Sequence, residues 1–81
     1  MPLVFVHEGL KFFFFSNEGD PREPTHVHVR RDSKLAKFWL HPDVQLGDSY
    51  GFSARELNKI AQIIDNRKTE IEAAWNEHFE S

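Results

Sequence analysis

Eighty-one residues with no cysteine exclude a disulfide scaffold, a thiolate zinc cage and a reactive thiol, and leave room for a single domain over residues 1–81. The formal charge of −3 argues against a generic nucleic-acid coat, yet it is unevenly spread: residues 22–41 sum to +3 (Arg22, Arg30, Arg31, Lys34 and Lys37 against Glu23 and Asp32), while 1–21, 42–52 and 53–81 each sum to −2. The apolar runs are too short to cross a bilayer and the start lacks the basic and hydrophobic regions of a signal peptide, so a soluble cytoplasmic protein is expected, with no membrane partner.

Leu3–Val6 is a short apolar run, and Leu10–Phe15, after Gly9, is a second with strong β propensity; both read as strands. Alternation places two of the four phenylalanines Phe12–Phe15 in a core and two on the other face, where Phe13 or Phe15 would join Lys11. Ser16–Pro24 is rich in Asn, Gly, Asp and Pro and reads as a loop. Thr25–Arg31 and Lys34–Leu40 alternate about a break at Asp32-Ser33, the pattern of a β-hairpin. A two-residue turn puts Val27 opposite Phe38 and Val29 opposite Ala36 on an apolar face. On the reverse face it puts His28 opposite Lys37, His26 opposite Trp39 and Arg30 opposite Leu35.

From residue 53 the apolar period changes to about 3.6, through Leu57, Ile60, Ala61, Ile64, Ile71, Ala74, Trp75, His78 and Phe79. Ser53 and Glu56 form a capping-box signature, with Phe52 and Leu57 spaced as a hydrophobic staple. One long helix over about 53–79 would reach about 40 Å against about 23 Å for a seven-residue strand, so it must bend or overhang at Trp75–Phe79. The fold class expected is α+β: an antiparallel sheet of three to four strands backed by one long C-terminal helix, its other face bare and carrying the histidines.

His26-Val27-His28 is the feature with most chemical content, because strand alternation points both imidazoles one way. Three functions fit. His26 and His28 could act as acid and base on RNA with no metal, Lys37 or Arg30 stabilising phosphorane charge and Trp39 stacking on bases. Alternatively the pair binds zinc, the third ligand coming from His7, His41, Glu18, Asp20 or Glu23; the metal-free reading needs no cofactor. In the third, the histidines are structural and the face with Trp39 joins a protein partner or a second copy in a homodimer. The four glycines match no phosphate-cradling motif, and His7 and His41, beside turns, are expected to face solvent.

Ser16-Asn17-Glu18-Gly19, Glu23-Pro24-Thr25-His26-Val27-His28-Val29, Ala36-Lys37-Phe38-Trp39-Leu40, Gly51-Phe52, Glu56-Leu57 and Trp75-Asn76-Glu77-His78-Phe79 together resemble the bacterial domain-of-unknown-function family 4160 over nearly the whole chain. Thr25 stands where that family usually has a second proline. The resemblance implies Glu18, His26, His28, Lys37, Trp39 and Trp75 as motif positions. It also implies a setting that resembles a toxin–antitoxin pair, because members are often encoded beside another small family, number 2442. A cognate antitoxin-like or neighbouring-gene protein is therefore an expected partner, with RNA as the other. The order of hairpin then helix is similar in architecture to HicA-type toxins, which cleave RNA with a histidine, although their first helix has no counterpart here.

Overall fold

The computed structural model describes residues 2–15 and 23–80. Five strands, β1 (Leu3–His7), β2 (Leu10–Phe13), β3 (His26–Arg31), β4 (Lys34–Trp39) and β5 (Gln45–Tyr50), form one antiparallel meander in the order β1-β2-β3-β4-β5. Two helices follow, α1 (Ala54–Asn66) and α2 (Lys68–Glu80). The α+β class and the antiparallel sheet hold, while the expected three to four strands and single long helix are corrected to five strands and two helices.

Two of the hairpins, β1–β2 and β3–β4, are closed by the turns their sequences favour. Glu8 and Gly9 both take positive φ, 51° and 81°, as a two-residue turn matched to the strand twist requires, so His7 pairs with Leu10. At the second hairpin Asp32 takes φ 54°, a conformation that Asp tolerates better than most residues, and the Asp32-Ser33 turn gives the expected register. Val27 lies opposite Phe38, Val29 opposite Ala36, His26 opposite Trp39 and His28 opposite Lys37. A bulge between Leu3 and Phe5 lets Leu3 pair with Phe13 while Phe5 pairs with Phe12.

The additional strand, β5, pairs with β4 across a second bulge and exposes all six of its residues. It has no buried face, so no apolar alternation marks it. Gly47 is required there: a Cβ would stand 2.8 Å from the indole nitrogen of Trp39 and 3.3 Å from the Lys37 carbonyl oxygen.

The capping box at the start of α1 is present, with the Glu56 amide donating to Ser53 Oγ at 3.1 Å and the Ser53 amide to Glu56 Oε1 at 2.8 Å. The helix does not run on to residue 79 because Arg67 leaves helical geometry, at φ −114° and ψ 22°, and its amide is shared between the carbonyls of Ile63 and Ile64. Asp65 and Asn66, weak helix formers, precede the break. The Arg67 guanidinium covers the Phe5 ring at 3.5 Å and pairs with Glu70 at 2.9 Å.

One apolar core lies between the sheet and the helices: Phe5, Phe12, Phe14, Val27, Val29, Ala36, Phe38 and Leu40 from the strands and their ends, and Ile60, Ile63, Ile64, Ile71 and Trp75 from the helices. Burying each large side chain contributes about 1.5–3 kcal/mol. Trp75 meets Phe14 edge-on at 5.2 Å and the His26 ring at 5.0 Å, so α2 closes the end of the sheet where β3 begins. His78, expected on the apolar stripe, is exposed, although its ring still lies 4.4 Å from that of Phe79.

Candidate functional site

The sheet face opposite the helices is ordered by the strand registers into two rows that cross all five strands. One row is Val6, Lys11, Arg30, Leu35 and Tyr50; the other is Leu3, Phe13, His28, Lys37 and Asp48. Beyond the second row His26 and Trp39 face each other, and Phe15 turns its ring to His28 at 4.4 Å. Alternation through Phe12–Phe15 thus holds: Phe12 and Phe14 enter the core, while Phe13 and Phe15 share the histidine face with Lys11.

The two imidazoles differ in access. His26 is 0% exposed, its ring enclosed by Trp39 at 5.2 Å, Trp75 at 5.0 Å and His28 at 5.2 Å. Nδ1–H donates to the Pro24 carbonyl at 3.0 Å, since a carbonyl oxygen can only accept, and this orients the ring. His28 is 6% exposed and stacks on Phe13 at 5.6 Å. It borders a shallow cleft of ≈ 150 Å³ with Phe15, Leu35, Lys37, Asp48 and Tyr50. The histidine pair is therefore a packed element with one edge on the surface.

Lys37 is held in place, its ammonium 4.3 Å from the Trp39 ring and 3.5 Å from a Glu23 carboxylate oxygen. Arg30 donates through Nε to the Asp32 carbonyl at 3.2 Å. Glu18 and Asp20 lie outside the described residues. Among the described residues no three histidine or carboxylate side chains gather as a metal-ligand cluster. His41 pairs instead with Glu72 at 2.6 Å, and His7 lies 3.8 Å from Glu8.

A separate ion-pair cluster ties the hairpin turns to α1. Lys34 donates to Glu56 at 3.0 Å, Lys59 reaches Glu8 at 2.9 Å, and Arg31 donates to the Glu8 carbonyl at 2.7 Å. The Ser53 amide, and after it the Lys34 ammonium, hold the Glu56 carboxyl below the usual carboxylate range; the bond from Lys59 does the same for Glu8.

Five apolar side chains on or beside the two rows are solvent-exposed: Leu3 at 56%, Val6 at 52%, Phe15 at 36%, Leu35 at 38% and Tyr50 at 73%. Sequence reasoning placed Arg30, Lys37 and Trp39 on this face but did not single out Leu3, Val6 or Tyr50. For Leu3 and Val6, which simple alternation would put on opposite faces, the shared face follows from a bulge that short apolar runs do not reveal; Tyr50 depends on β5, which has no legible alternation. Such a face offers apolar contact and cations, the elements of a binding surface more than of a closed reaction chamber.

A family model, the domain of unknown function DUF4160, matches residues 9–76, and the chain belongs to that family. No curated protein and no solved structure matches the chain.

Proposed function

We propose that this DUF4160 member is a protein-binding component, in a setting of the toxin–antitoxin type, and that it holds its partner on the sheet face opposite the helices. The observation that carries this reading is the gathering of Leu3, Val6, Phe15, Leu35 and Tyr50 in solvent beside Lys11, Arg30 and Lys37. Three of the five, Leu3, Val6 and Leu35, are aliphatic; they gain by meeting another protein's apolar surface and give RNA bases no plane on which to stack, and the exposed rings of Tyr50 and Phe15 flank them. Phe13, the aromatic nearest the middle of the face, is only 4% exposed. Acid–base cleavage of RNA requires both rings to reach the reacting phosphate, and the burial of His26 weighs against it. Among the described residues no third zinc ligand joins the pair, and the reading rests on the exposed row itself.

The test is coexpression with the neighbouring-gene protein, followed by size-exclusion chromatography. The expected result is joint elution, lost when Leu35→Asp places a charge in the row, with circular dichroism and urea unfolding showing that the variant remains folded. Separate elution of the parent proteins would overturn the reading. So would tight binding of single-stranded RNA that Leu35→Asp leaves intact.

A further inference from the structure

We infer that the adjacent cations Lys11 and Arg30 form a carboxylate-binding site, and that the segment taken up is a stretch of partner protein with an acidic residue between two apolar ones. This rests on the protein-binding reading and specifies the chemistry of the partner. Five cations lie on the strands of the sheet. Arg31 and Lys34 approach Glu56 at 3.9 and 3.0 Å, and Lys37 approaches Glu23. Lys11 and Arg30 are exposed, sit directly opposite each other on β2 and β3, and have no carboxylate partner among the described residues.

Like charges facing each other across a strand pair are destabilising, which an anion bridging them reverses. The Asp32 carbonyl takes Arg30 Nε, which fixes the guanidinium at its base and leaves its outer nitrogens to form a fork with a carboxylate. Apolar contacts lie on both sides. Leu3 and Phe13 line a cleft of ≈ 280 Å³ together with Lys11 and Arg30, and Leu35 and Tyr50 continue the row beyond Arg30.

The spacing selects a pattern. Neighbouring strands stand about 4.8 Å apart, so the midpoint between Lys11 and Arg30 is about 7 Å from Val6 on one side and from Leu35 on the other. In an extended chain, side chains at i and i+2 point the same way and are also about 7 Å apart. A segment crossing the strands with apolar, acidic and apolar residues at alternate positions therefore matches Val6, the cation pair and Leu35 in turn. A nucleotide phosphate would meet the same cations, but the exposed side chains nearest to them, Leu3, Val6 and Leu35, are not flat rings, while Phe13 in the cleft is buried and Tyr50 stands one strand beyond Leu35.

The test is a titration of the isotope-labelled protein with the capped peptide Leu-Ser-Glu-Ser-Leu, followed by amide chemical shifts. Saturable shifts are expected at Lys11, Phe13, Arg30 and Leu35, with affinity falling about tenfold or more in Lys11→Gln/Arg30→Gln. The same peptide with glutamine or lysine at its centre should bind more weakly by a similar factor. Absent shifts, equal response to the glutamine peptide, or a stronger response to uridine monophosphate would overturn the inference. If one of these occurs while the neighbouring-gene protein still elutes with the parent chain and is lost with Leu35→Asp, the carboxylate site fails and the protein-binding reading stands.

Discussion

His26 has the residue type of a catalytic base and the surroundings of a core side chain. Its ring fills the space between Trp39 and Trp75, and Nδ1–H satisfies the Pro24 carbonyl, so His26→Ala removes packing and a hydrogen bond together. We expect a loss of about 3–5 kcal/mol in urea unfolding. A change no larger than that of an exposed substitution would contradict the packing role. At the start of α1, Ser53→Ala should cost about 1 kcal/mol through the lost cap. Glu56 acts through charge. Because its folded value lies below the ordinary 4.5, its contribution is complete above that value and lost as pH falls through the folded one. Urea midpoints measured at about pH 6 and about pH 3 should therefore fall less in Glu56→Gln than in the parent. An equal fall would show that Glu56 takes no part.

Elements with a buried face were legible in the sequence, and those without one were not. The β3–β4 hairpin follows from Val27, Val29, Ala36 and Phe38, since any odd shift would carry Phe38 out of the core. β5 carries Gly47, Asp48 and Ser49, poor strand formers with no side chain in the core, and it exists because β4 presents an edge to pair with. Close approach of Trp39 makes Gly47 its weak point. Gly47→Ala should destabilise by about 1–3 kcal/mol, and hydrogen exchange should show the loss of protection concentrated in β5 and β4. Uniform protection equal to that of the parent would refute this. The division into α1 and α2 had a trace in the sequence: the apolar stripe passes from Ile64 to Ile71 across Arg67, whose guanidinium supplies the missing contact by lying on Phe5. Periodicity counts apolar residues, so an arginine serving in that place reads as a gap.

For the whole molecule, packing of the helices on one face of the sheet followed from the patterning, while the composition of the other face depended on tertiary pairing. Five strands in register are needed to set Val6, Lys11, Arg30, Leu35 and Tyr50 in line, and no single segment announces that row. The two faces also hold the two tryptophans of the chain in unlike surroundings. Trp75 is sealed at 2% exposure against Phe14 and His26, whereas Trp39 is half-buried beneath the Lys37 ammonium at the rim of the other face. The protein thereby contains two optical probes with separate duties. Blue-shifted emission from Trp75 should report whether α2 is seated, and the redder emission of Trp39 should respond to whatever settles on the sheet, so folding and occupancy are readable from one spectrum without a label.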